Sequence, residues 1–220
     1  MKHFAEELEE LRNRLLEMAG LVESAVYRSV AAVVEKDSDQ AHQVLKNEAR
    51  INQMEIENDE LTTRLLATQQ PMAADMRFLT AALKINNDLE RMGDLAVSIV
   101  ERGLALMKEP VISPAIDIPR MAKLTESMIR RSLDAFVRGD AELARSVLLA
   151  DDAVDNLRDA IYDELVEYMQ QSPENVRPGV NLMFVTRNLE RLGDHSTNIA
   201  EDVLFLVQGV DVRHHAEVRN

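Results

Sequence analysis

The chain has no cysteine. That excludes disulfides, thiolate metal sites and a cysteine nucleophile, and it suits a cytoplasmic protein. It has no tryptophan and aromatic residues make up only 4% of it, so a core must be built from aliphatic side chains and the 11 methionines. Glycine (7) and proline (6) are scarce among 220 residues, which leaves few places where a helix has to break. Positive charge is in short supply: 25 Lys and Arg against 39 Asp and Glu give a net charge of −14. A protein that grips a phosphate backbone needs the opposite balance. Nucleic acid is therefore not expected as a partner, and neither is a bare anionic membrane. No apolar run is long enough to span a bilayer. The first residues, Met1-Lys2-His3-Phe4-Ala5-Glu6-Glu7, turn acidic at once, so no signal peptide is expected.

What remains is a chain of helix formers, 46% hydrophobic. Phe4, Leu8, Leu11, Leu15, Met18, Val22, Val26, Val30 and Val33 recur at threes and fours, which draws one apolar stripe on a helix over about 4–36. Asp37 is the N-cap of a second helix, with Gln40 three residues on. That helix carries Val44, Leu45, Ile51, Met54, Leu61, Leu65 and Leu66 and stops at Gln69-Gln70-Pro71. Pro71 reads as the first residue of a third helix, which runs to about Met107. Residues 109–119 hold three of the prolines, at 110, 114 and 119, and read as a linker. Beyond it the plan recurs. One helix covers about 119–137 and is closed by Gly139. A second is capped by Asp140 and carries Leu143, Val147, Val154, Leu157, Ile161 and Leu165. A third is opened by Ser172-Pro173, with Pro178-Gly179 predicting a bend or a late start, and runs to about Gln208. The tail from Gly209, with His214 and His215, reads as frayed and solvated. The expected fold is all-α: two tandem antiparallel three-helix bundles, residues 1–108 and 119–209, with helices of roughly thirty residues, or about 45 Å.

The two halves share a motif. Leu89-Glu90-Arg91-Met92-Gly93-Asp94 returns 100 residues later as Leu189-Glu190-Arg191-Leu192-Gly193-Asp194. The match continues at that offset with Ile99 and Ile199, Glu101 and Glu201, Leu104 and Leu204, Leu106 and Leu206. The chain is thus two copies of one unit. Glu90 and Asp94 lie on one helical face, where like charges repel by about 0.2–0.5 kcal/mol. A helix-interior glycine costs roughly another 1 kcal/mol against alanine. A bound cation would offset the repulsion, and the glycine would admit a close neighbour. Ligand partners are available on the preceding helix. Glu48 and Asn52 in copy one, and Asp151, Asp152 and Asp155 in copy two, start 11 residues after the caps Asp37 and Asp140. Such oxygen-rich sets suit iron, manganese, magnesium or calcium, and also zinc. The plainer alternative is a solvated face, with Arg91 and Arg191 in weak surface ion pairs.

Other chemistries leave no trace. The Glu-x-x-His pairs of di-iron bundles are missing, and so are a phosphate-cradling glycine loop and a nucleophile elbow. Of the five histidines only His195 is near the motif, and it reads as a polar surface or partner contact. Met54, Met121 and Met128 fall at core spacing.

The chain resembles the PhoU family over nearly its whole length. The resemblance is carried by Gln70-Pro71-Met72-Ala73-Ala74-Asp75-Met76-Arg77, by the two Leu-Glu-Arg-x-Gly-Asp strings with Asn188 before the second, by Asn198-Ile199-Ala200-Glu201, and by the ending Val207-Gln208-Gly209-Val210-Asp211-Val212-Arg213-His214. It implies two three-helix bundles, a homodimer, and a cytoplasmic protein that reaches the membrane only through protein partners. It implies a non-enzymatic negative regulator of the phosphate (Pho) regulon and of phosphate uptake, linking the phosphate transporter through its ATPase PstB to the histidine kinase PhoR. Nothing in the sequence reads as a phosphate-binding pocket, so sensing of phosphate is expected in the transporter. The resemblance also implies multinuclear iron or zinc clusters on acid pairs four residues apart. Carried over, these are Glu90 with Asp94, and Glu190 with Asp194 joined by Asp151 and Asp155; in copy one the counterpart is Glu48 with Asn52, where Asn replaces an acid. Copy two has Ser172-Pro173-Glu174-Asn175 in place of the Gln-Pro-Met-Ala string, so the bundles need not do the same work. The runner-up reading is a metal-storing or metal-dependent carboxylate enzyme on helical bundles.

Overall fold

Several helices begin where a side chain accepts from the backbone N–H groups that a helix start leaves free: Asp37, Asp117, Asp140 and Ser172 do so. The computed structural model describes residues 2–69, 71–109, 116–209 and 212, and no strand occurs among the described residues. Helix α1 spans Lys2–Val34 and α2 spans Ser38–Thr68. Between them Lys36 takes a left-handed conformation (φ 55°), and the Asp37 carboxylate accepts from the Asp39 and Gln40 N–H groups at 2.9 and 3.2 Å. Helix α3 spans Ala73–Leu106. Pro71 is not its first residue, as the sequence suggested: Asp75 accepts the Met72 N–H at 3.3 Å, and this contact sets the start two residues later.

Copy two departs further from the plan. Helix α4 spans only Ile118–Arg138, because Gly139 (φ 62°) closes it in the left-handed region and Asp140 caps the next helix by accepting from the Leu143 N–H at 3.0 Å. The single helix expected after Asp140 is divided into α5, Ala141–Leu148, and α6, Asp151–Gln171. Leu149 and Ala150 stay right-handed, but after the Leu149 N–H reaches the Arg145 carbonyl at 3.2 Å the Ala150 N–H switches to i−3, on the Val147 carbonyl at 3.0 Å. The two aspartates that follow favour a fresh helix start, where the dipole welcomes acid. Ser172 accepts from the Glu174 N–H and caps a 3-10 turn, Pro173–Asn175, that leads into α7, Val176–Gln208. Pro178 and Gly179 lie inside α7 without breaking it, since a third-position N–H has no helical partner to lose.

Helices α1, α2 and α3 pack on one another, and α7 gathers α4, α5 and α6 around it. The apolar stripes meet inside each group: Leu11, Leu15 and Met18 with Leu65 and Leu79 in the first, Met121, Met128 and Phe136 with Leu189 and Leu192 in the second, all fully buried or nearly so. Burying each such side chain contributes about 1.5–3 kcal/mol, far more than helix propensity. Met54, Met121 and Met128 are core residues, as their spacing implied.

The most extensive pairing in the molecule is between α3 and α7, the motif helices of the two bundles. They run antiparallel about an approximate two-fold axis, which the residue numbers reveal. Asp88 meets Asn198 at 3.3 Å, and Asn188 meets Ser98 at 2.9 Å; moving each partner by 100 residues converts one pair into the other. In the same way Lys84 pairs with Asp202 at 2.8 Å, while the Arg102 guanidinium lies 4.5 Å from the centre of the Phe184 ring. His195 is not the surface contact that the sequence suggested. It is 8% exposed in this joint, with Nδ1 2.7 Å from Asp88 Oδ1. His214 and His215 lie outside the described residues.

Candidate functional site

In the first bundle α2 and α3 run antiparallel, with Ile51 seated against Gly93 and Asn58 bonded to Asn86 at 3.0 Å. This register puts Glu48, Asn52, Glu55 and Asp59 on one half-buried face of α2, alongside Glu90 on α3. Asn86 anchors the crossing: its Nδ2 donates to the Glu55 carbonyl at 2.9 Å and to Asp59 Oδ1 at 3.0 Å. Glu90 is half-buried and Asp94 exposed. Partial burial, then the negative charges of Asp94 and Glu55, raise the Glu90 carboxyl above its ordinary range, and a hydrogen bond to Asp94 adds to this. Arg91 works against the shift, although its Nε is turned to Asn87 Oδ1 at 2.9 Å. Glu55 is itself raised, by desolvation and by Asp59. The sequence reading missed Glu55 and Asp59. They form another acid pair four apart, and their spacing of three and seven residues from Asn52 was the available signal.

In the second bundle the expected acids are electrostatic neighbours of Asp194. Asp194 feels Glu190, Asp151 and Asp155, and partial burial with these three charges raises its carboxyl to about 6, against His195, which lowers it. A cation is already among them. Arg158 on α6 donates from Nη1 to Glu190 Oε1 at 2.6 Å and to Asp155 Oδ1 at 3.0 Å, and from Nε to Asp159 Oδ1 at 2.9 Å. The Glu190 side chain is 19% exposed and that of Arg158 24%, so this pairing lies at the edge of the core. Arg158 was also missed, although it stands three residues after Asp155, one helical turn away.

The glycines differ as well. A methyl group at Gly93 would stand 3.2 Å from Ile51 Cγ2, whereas at Gly193 the nearest atom, Val154 Cγ1, is 3.7 Å away. Close approach is thus real in bundle one, but to a side chain rather than to a backbone or a cluster, and it is not needed in bundle two.

Among the described residues no three His, Asp and Glu side chains are drawn tightly enough together to cage a metal ion. By donor chemistry bundle one suits a hard or borderline cation: Glu90 and Glu55 are both raised by burial and by neighbouring acids, which a cation would relieve. Bundle two presents a similar set of acids with a guanidinium already bound to them.

A sequence model of the PhoU domain matches the chain twice, over residues 15–103 and 118–203, once on each bundle. The chain is 42% identical, over 97% of its own length and 84% of the relative's, to a protein of Pseudomonas putida described as a phosphate-specific transport system accessory protein PhoU homolog. It is 36% identical to the homolog of that description from Aquifex aeolicus, over 97% of this chain and 96% of that protein. Among solved structures it overlays on PhoU from Pseudomonas aeruginosa with a TM-score of 0.90 and 40% identity, covering 94% of this chain and 100% of that one. The phosphate transport system regulatory protein PhoU from Streptococcus pneumoniae overlays with a TM-score of 0.86 at 29% identity, covering 95% of this chain and 99% of that one. With both repeats matched and the whole two-bundle fold shared, the chain belongs to the PhoU family.

Proposed function

We propose that this protein regulates phosphate transport as an accessory protein, and that it keeps the phosphate regulon off when phosphate is plentiful. The observation that carries this is the match of both bundles, over nearly the full chain, to proteins described as accessory or regulatory components of phosphate transport systems. In this reading the protein is an adaptor and not an enzyme. It contacts the transporter ATPase PstB and the histidine kinase PhoR, restrains uptake, and holds the kinase back from activating its response regulator. It acts as a cytoplasmic homodimer and reaches the membrane through those partners.

An adaptor works through its surface, and the exposed apolar side chains near the start of α7, beside its joint with α3, support that role. Val176, Val180 and Phe184, four residues apart, are 46%, 40% and 41% exposed and form an apolar stripe. No helix among the described residues is long and apolar enough to cross a membrane. For the carboxylates, we propose that Glu90 and Asp94, with Glu55, Asp59, Glu48 and Asn52 across from them, are where bundle one would hold an iron or zinc ion. The ion would supply positive charge beside Glu90 and Glu55, whose carboxyls are held above their ordinary range.

The test is complementation. In a host deleted for its own PhoU protein, a phosphate-starvation reporter is read in high phosphate, with and without this chain. Restored repression is the expected result. A reporter that stays on, with the chain present at native levels and folded, overturns the regulatory reading.

A further inference from the structure

The two bundles meet their acids with different cations, and the repeat shows where the difference lies. On the middle helix the copies are related by an offset of 103: Glu48 becomes Asp151 and Asn52 becomes Asp155. The packing confirms this register. Ile51 sits against Gly93 in bundle one, and its counterpart Val154 sits against Gly193 in bundle two. At the same offset Glu55 becomes Arg158 and Asp59 becomes Tyr162. A carboxylate that adds to the negative charge beside Glu90 is therefore replaced by a guanidinium that binds Glu190.

The guanidinium binds oxygens that a metal ion bridging α6 and α7 would need. One Nη1 bridges Glu190 on α7 and Asp155 on α6 at 2.6 and 3.0 Å, and Nε holds Asp159 at 2.9 Å. Arginine stays charged at any working pH and its planar fork suits two oxygens at once. A divalent ion on the same oxygens would have to displace it or sit beside a fixed positive charge. The hydrogen bonds it donates to Asp159 and Glu190 also strengthen its hold on the proton.

We propose that Arg158 is the resident counter-cation of bundle two, that it closes this acidic cluster to metal ions, and that a divalent cation enters only when the guanidinium is removed. The claim concerns bundle two alone and does not depend on the regulatory reading.

Arg158→Met keeps the apolar stem and deletes the charge. The full chain, wild type and variant, is dialysed free of metal and then melted with and without Mn2+ or Zn2+; ions retained after a second dialysis are counted by elemental analysis. The variant should melt below wild type in metal-free buffer, recover with added cation, and retain more ions per chain than wild type. Adding Glu190→Gln to Arg158→Met should abolish both the recovery and the extra ions. An Arg158→Met chain that folds yet takes up no more metal than wild type overturns the proposal. Should Arg158→Met fail to fold, Glu190→Gln in the otherwise wild-type chain still decides: unchanged metal content supports the closed site, and lost metal ions overturn it. Failure here would leave repression in the reporter host untouched, so the two readings fall separately.

Discussion

Alanine at the two repeated glycines should change stability unequally, although both lie at the same point of the same motif. At Gly193 the added methyl would find Val154 Cγ1 at 3.7 Å and Met128 Cε and Sδ at 3.8 Å, which is ordinary packing distance. Removing a helix-interior glycine gains about 1 kcal/mol, so Gly193→Ala is expected to stabilise by about that much and to raise the melting temperature by roughly 2–4 °C. At Gly93 the methyl would meet Ile51 Cγ2 at 3.2 Å and Cδ1 at 3.4 Å. Ile51 is 2% exposed and, being β-branched on a helix, has little rotamer freedom with which to yield. Overpacking of this kind costs about 1–3 kcal/mol, which cancels or exceeds the propensity gain. The two variants should therefore differ by about 1 kcal/mol or more in urea unfolding followed by far-UV circular dichroism. Ile51→Leu moves the branch away from Cβ at similar volume, so Gly93→Ala with Ile51→Leu should be more stable than the two single changes predict by addition. Equal shifts at the two glycines, or a clear loss at Gly193, would refute the packing argument. Should Gly193→Ala also lose function while gaining stability, the glycine serves contact with a partner and not the fold.

Three further outcomes follow from the same geometry. Asp194 keeps its proton to about 6, above the ordinary 3.8, so its contribution to stability is full at low pH and is lost as the pH rises through about 6; the residue is exposed, so solvent screening keeps the effect small, and Asp194→Asn should flatten that part of the pH–stability curve. Asn86→Ala would leave the Asn58 amide, 1% exposed and with Oδ1 already unbonded, without its remaining side-chain oxygen partner, and a loss of about 1–3 kcal/mol is expected in denaturant unfolding; Asn58→Ile with Asn86→Thr, which copies Ile161 and Thr186 of bundle two, should recover much of it. His195→Leu, which copies Leu95, should cost about 1–3 kcal/mol by stripping Asp88 of its closest partner, and adding Asp88→Asn, which copies Asn188, should return most of that loss in a double-mutant cycle.

What the sequence made legible was the part of the fold governed by local rules. Period-3.6 stripes gave the helices, and Asp37, Gly139, Asp140 and Ser172 marked their ends because capping is chemistry within a few residues. Pro71 misled by two residues because Asp75 competed for the helix start. The division of α5 from α6 was hidden because both sides of Leu149-Ala150 carry the same apolar period, while the Asp151-Asp152 start signal lies inside it. At the site the acids were found through their recurrence, and in bundle two Asp194 lies near enough to Glu190, Asp151 and Asp155 to feel their charge. Glu55, Asp59 and Arg158 were passed over because their importance lies in which helix they face. That register is fixed by Ile51 on Gly93 and by Asn58 on Asn86, contacts between helices that no spacing within one helix reports. His195 was misread for the same reason: its partner Asp88 is 107 residues away and arrives only through the packing of α3 on α7.

The approximate two-fold axis explains why the bundles came to differ. A symmetric joint would place Lys84 opposite Asp202 and the same pair again at the far end. Here the far end holds Phe184 under Arg102, an ion pair on one side and a cation over a ring on the other. The joint between α3 and α7 is thus directional, and neither bundle can take the other's place in it. Asp88, 8% exposed, is satisfied by His195 and Asn198, whereas its counterpart Asn188 is satisfied by Ser98. A buried acid needs such donors and a buried amide does not need a histidine, so each substitution at the joint constrains its partner in the other copy. The same divergence reaches the outer face of each bundle, where Glu55 and Arg158 give equivalent positions opposite charge. A partner surface that fits one bundle's acidic edge will therefore meet a different charge pattern on the other. Exchanging Glu55 and Arg158 between the bundles, in a chain whose joint is left intact, would separate recognition by charge from recognition by shape: partner binding that follows the exchanged charge assigns the contact to these edges, and binding that ignores it assigns the contact to another face, such as the Val176–Val180–Phe184 stripe of α7.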